Sequence, residues 1–499
     1  MQPWQTRVVL IITLGTFLVP AQTQAHSAKA PGIEYPAAHL GAAPNTSTAA
    51  TAQAFRTKAY AAPVALILSL LLLAAFFDPR RPLRVLHLDL VVLLGFAVPH
   101  ALYRGGAKAP VALMTFPLLV YLLGRMLYLG FRGRLSDEQL LPIVRARWLM
   151  VALALLIGLR VGLNIADTEV ADIGYASVVG ADRISKGQSI YEGDFPPLIR
   201  PGYVSGHGDT YGPLMYYAYI PFEQVFSWSG SWDSLPAAHA AAIAFDLFTL
   251  LGLFVLGRTI RPGGELAVAL AFAWASYPYS FLILFYNTND ALMSALLVWA
   301  LVLLTSVPKC ALMLALATAA KIVPAALAPL LAMAPTRRPR EVVGFSVIFI
   351  GVVALLLLPL LPDGGIREVY DRTLGFQADR TSPFTLWSLF PSLDRFRPIA
   401  VAAAIALAIV VAFVPRVKSQ IQVAALGAAV LIAIQLAHGF WFVLYIPWWA
   451  PFVFTAVLGR YASSLQAFTV ATGLTNGGSE VPPGSLKRLP APGRATPDL

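Results

Sequence analysis

Long, nearly uncharged apolar stretches recur along this sequence and constrain its fold more than any other feature. Residues 148–165, 237–257, 342–361 and 421–437 are four of them. A helix rises about 1.5 Å per residue, so each stretch can cross a hydrocarbon core of about 30 Å. The chain is 58% hydrophobic and 12% charged, whereas a soluble protein averages about 25% charged residues. We therefore predict an all-α polytopic membrane protein.

Basic clusters between the apolar stretches predict the orientation of the chain. The positive-inside rule places these clusters in the cytoplasm, so most of the net charge of +11 is a topology signal and not a sign of nucleic-acid binding. The clusters lie at residues 80–84, 132–147, 258–261, 337–340 and 416–418. About twelve transmembrane helices satisfy this orientation with both termini inside, near residues 8–20, 62–77, 85–103, 111–130, 148–165, 237–257, 265–285, 290–307, 342–361, 398–414, 421–438 and 440–458.

Residues 311–334 conflict with that topology. Lys309 precedes the segment and a basic cluster at 337–340 follows it, so a single crossing would leave those arginines outside. A re-entrant pair of half-helices, turning around Lys321 and Pro324, removes the conflict. Pro324 would break the helix there, and irregular backbone at membrane depth is tolerated where protein or a water-filled cavity surrounds it. The alternative is one kinked helix that departs from the charge rule.

The crossings divide the chain into segments. The segments are a signal peptide or signal anchor at 1–25, an external disordered linker at 26–60, an N-terminal transmembrane extension at 61–147, a main transmembrane module at 148–458 with external loops 166–236 and 362–397, and a disordered cytoplasmic tail at 459–499. Cys310 is the single cysteine, which excludes an intramolecular disulfide and a cysteine-based metal site.

Acidic residues concentrate in the two predicted external loops, which hold 14 of the 25. Asp167 and Asp172 stand at the membrane surface, where a carboxylate can acquire a pKa suited to a general base. The alternative is that these acids are a solvated helix N-terminus favoured by the helix dipole.

The same loops hold further polar candidates. His207 and Asp209 lie beside a tight turn at Tyr211. Arg372 and Arg380 are cations on the predicted outer face, where arginine forks suit phosphate oxygens. The alternative is that these arginines pair with the neighbouring acids at 371 and 379.

Four ionisable or amide side chains lie near or within the apolar spans. Asp246 and Lys321 are costly at that depth, so we expect them to approach one another or a ligand phosphate. Asn289 and Asp290 face the side of the acidic loops, and for them an N-cap of the following helix is as plausible as a ligand role.

Several functional signatures are missing from the sequence. It contains no P-loop, no Rossmann glycine fingerprint and no H-E-x-x-H motif. We predict no bound metal and no cofactor.

Five segments, in order, resemble bacterial membrane glycosyltransferases of the C superfamily, in particular glycosyltransferase family 87, the polyprenyl-phosphate-mannose-dependent mannosyltransferases and their relatives. The segments are DIGYASVVGADRISKGQSIYEGD, HGDTYGPLMYYAYIPFE, NTNDALMSALL, ALATAAKIVPAALAPLL and QADRTSPFTLW. The similarity covers about residues 148–458. In the family the second segment has a Y-P-P-like element, which here is Y-G-P, and His207 and Asp209 before it point to a subgroup with a different donor or acceptor.

The resemblance implies an activity and a site. An aspartate of the first external loop would act as catalytic base, matched here by Asp172 with Asp167 in reserve. The donor would be a hexose, mannose first, or a pentose on a polyprenyl phosphate, and the acceptor a cell-envelope glycan or glycolipid outside the bacterial plasma membrane. The candidate substrate-binding residues are His207, Asp209, Tyr211, Asn289, Asp290 and Gln377, and the candidate phosphate-binding residues are Arg380, Arg372 and Lys321.

Two other functional classes remain open from the sequence. A multi-pass transporter or lipid-linked-sugar flippase would also need many apolar spans, although such proteins often carry interrupted helices in both halves. A structural membrane scaffold has only the clustering of acids against it.

Overall fold

Helices make up nearly all of the ordered structure in the computed structural model. It describes residues 61–104, 109–192, 195, 198–200, 203–205, 208–232, 234–334, 338–382 and 384–462. In the N-terminal extension the elements are α1 Ala61–Phe76, α2 Val85–Gly95, α3 Ala97–Arg104, α4 Ala109–Arg132 and strand β1 Ser136–Gln139. The predicted segments 1–25 and 26–60, and most of 459–499, lie outside the described residues.

The predicted main module begins with α5. Its first half contains α5 Ala146–Asp167, α6 Asp172–Ser185, β2 Leu198–Arg200, β3 Tyr203–Ser205, α7 Leu214–Tyr217, α8 Ile220–Val225, α9 Pro236–Ile260, α10 Glu265–Ala275, α11 Pro278–Phe285 and α12 Asp290–Val302. Its second half contains α13 Val307–Ala320, a 3-10 turn Val323–Leu327, α14 Ala328–Met333, α15 Pro339–Leu357, a 3-10 turn Leu358–Leu360, α16 Gly365–Tyr370, a π-helical turn Asp371–Gly375, α17 Phe376–Asp379, α18 Leu386–Leu389, α19 Pro391–Asp394, α20 Arg397–Phe413, α21 Gln420–Ala437, a 3-10 turn Val443–Tyr445, α22 Ile446–Leu458 and β4 Tyr461–Ala462.

The described residues confirm a helical, multi-span membrane protein. Six helical stretches are long and apolar enough to cross: Val85–Leu102, Pro110–Arg132, Ala146–Asp167, Pro236–Ile260, Pro339–Leu360 and Gln420–Ala437. A seventh crossing results if the bent pair α10 and α11 is one span. The other predicted crossings after residue 60 coincide with apolar helices of 10–17 residues, so the number of about twelve crossings stays a prediction.

Burial separates the central helices from the lipid-exposed ones. Helix α21 is 72% buried within its apolar window, whereas the stretch Pro339–Leu360 is 6% buried and has a mean hydropathy of 2.7. A helix that is apolar all round and hardly buried by protein requires an apolar solvent. We therefore assign α15 to the lipid-facing surface and α21 to the core.

The predicted crossing at 265–285 is a broken helix. Helices α10 and α11 meet at a bend of 54° across Ser276 and Tyr277. Pro278 opens α11 at its first turn, where its missing N–H costs nothing, although inside a continuous helix the same ring would clash with the preceding turn.

A second break falls at the turn predicted for the half-helix pair. Helix α13 ends at Ala320, Lys321 is extended, and a 3-10 turn containing Pro324 leads into α14. Helices α13 and α14 contact one another. The interruption at Lys321 is confirmed, and the re-entrant path of this segment through a membrane stays a prediction.

Two small sheets depart from the all-α expectation. Strand β1 pairs in parallel with β4, and β2 pairs antiparallel with β3. The first pair joins the N-terminal extension to the segment after α22. A sequence reading based on helical spans misses such strands because each has only two to four residues.

Candidate active site

A buried ion pair joins the two helices on either side of the 302–307 turn. Asp290 begins α12, Lys321 follows α13, and the Lys321 ammonium contacts Asp290 Oδ1. Trp448 Nε1 donates to the same oxygen at 2.8 Å. The relative exposures are 0% for Asp290 and 6% for Lys321. The second carboxylate oxygen, Asp290 Oδ2, is buried and has no hydrogen-bond partner among the described residues.

The expected approach of Asp246 to Lys321 is wrong. Asp246 instead pairs with Arg160 of α5, with Nη2 to Oδ1 at 2.7 Å and Nε to Oδ2 at 3.1 Å. The same guanidinium donates to the carbonyls of Ala275 and Ser280, each at 3.1 Å. These carbonyls flank the bend between α10 and α11, so Arg160 and Asp246 stabilise a broken helix and form a different ion pair from that of Lys321 and Asp290.

The Tyr211 turn packs directly on the break at Lys321. Gly212 N–H donates to the Ala320 carbonyl at 3.2 Å, and a Cβ at Gly212 would lie 2.2 Å from the Ala319 carbonyl oxygen. A side chain at Gly212 therefore cannot fit this approach. Above the turn, the Tyr211 ring lies 5.2 Å from the Lys321 ammonium. Two motifs separated by about a hundred residues of sequence thus form one surface.

Charges from three other segments converge on the Tyr211 phenol. Burial raises its pKa well above the ordinary value, the negative charges of Asp172 and Asp290 raise it further, and Arg380 opposes them. Asp172 is partly exposed and begins α6. The structure therefore brings Asp172, Tyr211, Asp290, Lys321 and Arg380 to the same end of the helix bundle, which we call the loop end.

The helix that begins with Asp172 is held against the Asn287–Asp290 run. A Cβ at Gly174 would lie 2.4 Å from the Asn287 carbonyl oxygen, so glycine is needed for this contact. Asn289 occupies the N-cap position of α12, but its side chain makes no capping bond. It donates instead to Ser177 Oγ of α6 at 3.2 Å. The N-cap alternative thus holds for the backbone position of Asn289 and not for its side chain.

Arg372 connects the two predicted external loops. Its Nη1 lies 2.6 Å from Asp209 Oδ2, and its Nη2 lies 2.8 Å from Glu368 Oε1. Arg372 stands in the π-helical turn, an irregularity that often marks functional segments. Arg372 therefore pairs with Asp209 and Glu368 instead of the adjacent acid at 371. These two ion pairs leave little of the Arg372 charge for a phosphate.

The described side-chain partners of Arg380 are neutral. Its guanidinium carbon lies 3.8 Å from the centre of the Phe440 ring, and Nη1 donates to Gln377 Oε1 at 3.2 Å. Among the side chains that the structure describes, no carboxylate forms an ion pair with it. The side chain of Asp379 lies outside those described.

Two sequence candidates remain, Asp167 and His207. Asp167 is the exposed last residue of α5, and His207 lies outside the described residues. The sequence reading missed Arg160, although an arginine within an apolar span was visible. It also missed Trp448 of α22, which donates a hydrogen bond to Asp290. No local pattern marks that tryptophan.

The described residues contain no group of three or more His, Cys, Asp or Glu side chains placed to hold a metal ion.

Apolar spanning helices with a cluster of charged and amide side chains at one end define a multi-pass membrane protein with a polar site at its helix ends. Residues 210–438 match the family model of glycosyltransferase family 87, which confirms the predicted resemblance. The match covers a little under half of the chain, and the region it covers is similar to that glycosyltransferase family. Asp172 and Asp209 precede it. No curated protein matches the chain.

Proposed function

We propose that this protein transfers a sugar, mannose or another hexose or else a pentose, from a polyprenyl-phosphate donor to a cell-envelope glycan or glycolipid. The family match over residues 210–438 supports a glycosyltransferase rather than a transporter. The observation that carries the proposal is the contact of the Tyr211 ring with Lys321, which is paired with Asp290, beside the effect of Asp172 and Arg380 on the Tyr211 phenol. A transfer reaction needs a base, sugar-binding groups and a counter-charge for the leaving group within one site.

The proposed step forms one bond and breaks another. The acceptor oxygen attacks the anomeric carbon while the Asp172 carboxylate takes the proton of the acceptor hydroxyl. The bond from the anomeric carbon to the phosphate oxygen breaks through an oxocarbenium-like state, and polyprenyl phosphate leaves with the electron pair. Partial exposure of Asp172 at the first turn of α6 leaves it accessible to an acceptor.

Arg380 is the preferred phosphate-binding residue. Arg372 is paired with two carboxylates and Lys321 with one, so their charges are largely compensated. The described partners of Arg380 are an amide and aromatic rings, and its planar fork can donate two hydrogen bonds to a phosphate. A fixed cation at the leaving oxygen stabilises the developing charge in the transition state.

The remaining candidates fit a sugar-binding role. Asp290 offers a carboxylate that acts on Tyr211, Asn289 offers an amide beside Ser177 of α6, and Gln377 contacts Arg380. We place this site on the external face of the bacterial plasma membrane, where a lipid-linked sugar can supply the donor. His207 and Asp167 stay in reserve as substrate-binding residue and base.

Transfer assays with the purified full chain in lipid nanodiscs test the proposal. With radiolabelled polyprenyl-phosphate mannose and a membrane-extract acceptor, Asp172→Asn and Arg380→Gln should each lower turnover at least about a hundredfold. The matched controls are Asp363→Asn and Arg367→Gln, exposed residues of the second loop, which should retain turnover. Unchanged turnover in Asp172→Asn would overturn the assignment of the base. Replacing mannose by arabinose in the donor decides between hexose and pentose.

A further inference from the structure

A polar cavity of about 880 Å³ lies at the opposite end of the bundle from the candidate active site. Four parts of the chain line it: the turn between α1 and α2, Tyr128 of α4, the segment from Arg134 to Ile143 that contains β1, and Arg460 after α22. Helix α22 begins near Trp448, which contacts Asp290, and its thirteen residues span about 20 Å before Arg460. The cavity is therefore separate from the loop-end site and lies outside residues 210–438.

Cations outnumber uncompensated acids in this cavity. Its charged lining residues are Arg80, Arg81, Arg134, Arg460, Asp78, Asp137 and Glu138. Glu138 is already bound by two arginines, Arg81 at 3.0 Å and Arg84 at 2.8 Å. The side chains that line the cavity thus keep a net positive charge once these pairs are formed.

Three of the lining arginines are not neutralised by an ion pair within the described residues, and the Arg460 guanidinium carbon lies 5.3 Å from the centre of the Tyr461 ring. Among the described residues, Arg80, Arg134 and Arg460 form no ion pair with a carboxylate. Arg460 Nε is buried and lacks a hydrogen-bond acceptor in this part of the structure. A buried donor without a partner is costly, and a ligand oxygen in the cavity would supply the missing acceptor.

We propose that this cavity binds a phosphate group, held by Arg80, Arg134 and Arg460. Arginine forks match phosphate oxygens bidentately. The phosphate can belong to an anionic phospholipid, since the cavity lies where helices α1, α4 and α22 end, or to a soluble phosphate. Bound there, it ties the N-terminal extension to the segment after α22, because β1 and β4 pair beside the cavity.

Native mass spectrometry and thermal unfolding of the full chain test this site and distinguish the two sources. One arm compares nanodiscs of phosphatidylcholine with nanodiscs that also contain phosphatidylglycerol. The other titrates inorganic phosphate into phosphatidylcholine nanodiscs. A rise in unfolding temperature with phosphatidylglycerol alone identifies a lipid headgroup, and a rise with phosphate identifies a soluble ligand.

The variants assign the binding to the cavity. Arg134→Gln and Arg80→Gln, both exposed residues without described ion pairs, should each weaken binding about tenfold. The control is Arg145→Gln, an exposed arginine of the same segment that does not line the cavity, and it should bind as the parent protein does. The proposal is overturned if neither ligand stabilises the parent protein, or if the cavity variants and the control lose binding equally.

Discussion

Lys321 and Asp290 lie 31 residues apart and form an ion pair that fixes the hairpin of α12 and α13 at the level of the candidate site. Both side chains are buried, at 5% and 1% exposure. Trp448 binds the same carboxylate, so three segments depend on this one pair. The Tyr211 turn packs on the helix break at Lys321, and the negative charge of Asp172 acts on the Tyr211 phenol.

The first prediction concerns the energy of this pair. Lys321→Met and Asp290→Asn should each lower the free energy of unfolding by about 3–5 kcal/mol, because each leaves a buried charge without its partner. The double variant should lose less than the sum, with a coupling of about 0.5–3 kcal/mol. Chemical unfolding in detergent measures all three. Strictly additive losses would show that the pair is not coupled.

A second prediction concerns the turn at Gly212. Gly212→Ala should displace the Tyr211 turn, since the new methyl group would lie 2.2 Å from the Ala319 carbonyl oxygen, and transfer activity should fall at least about tenfold. Gly162→Ala is the matched control, because nothing lies within 4 Å of a Cβ there. Activity assays on both variants in nanodiscs provide the comparison. Full activity of Gly212→Ala would argue against a fixed Tyr211 turn in the site.

The third prediction tests the connection between the loops through Arg372. Arg372→Gln removes the ion pairs that Arg372 forms with Asp209 and Glu368, so we expect faster cleavage of the loops by protease and a reduced transfer rate. Arg367→Gln, in the same loop and exposed, should leave both measurements unchanged. If Arg372→Gln abolishes transfer while protease resistance is unaffected, Arg372 has a direct substrate role instead.

A fourth prediction concerns the ion pair of Arg160 and Asp246, which stabilises the broken helix formed by α10 and α11. Arg160→Met removes the partner of Asp246 and the donor for two carbonyls. The free energy of unfolding should therefore fall by about 3–5 kcal/mol. Arg258→Met, at an exposed arginine near the end of α9, should change stability by less than about 0.5 kcal/mol. Equal losses of stability in the two variants would show that Arg160 does not stabilise the broken helix. Thermal unfolding reports both.

The last prediction concerns metal removal. If Arg380 supplies the charge at the leaving phosphate, transfer should persist in excess EDTA, since an arginine can replace a metal in this role. Initial rates with and without EDTA measure the effect. A loss of activity that Mg²⁺ or Mn²⁺ restores would show that a cation takes part in the reaction.

Much of the helical layout follows from the sequence because burial in lipid requires long apolar segments. Residues 237–257 lie within α9, and the predicted span 421–438 matches α21, which begins at Gln420 and ends at Ala437. The break at Lys321 was also predictable, since Pro324 and the surrounding charges constrain it locally. The break within 265–285 was harder to predict, because Pro278 alone does not say whether a helix bends or continues.

The pairing of charged side chains was the weak point of the sequence reading. Asp246 and Lys321 were both identified as costly intramembrane charges, yet each has a different partner from the one expected. The charge of a side chain and its depth in the membrane indicate that it must have a partner. Which side chain is that partner depends on how helices distant in sequence pack together. Arg160 comes within reach of Asp246 only when α5 packs against α9. Likewise, Asp290 comes within reach of Lys321 only when α12 packs against α13.

The sequence by itself determined that this chain is a helical membrane protein, where its polar loops lie along the chain, and that it resembles glycosyltransferase family 87. Those properties depend on local composition and on short motifs. Only the tertiary structure decided that Arg372 is held between Asp209 and Glu368, that Lys321 pairs with Asp290, and that Arg380 faces rings and an amide. The physical reason is that a buried charge is stabilised by its spatial neighbours, and helix packing alone selects them.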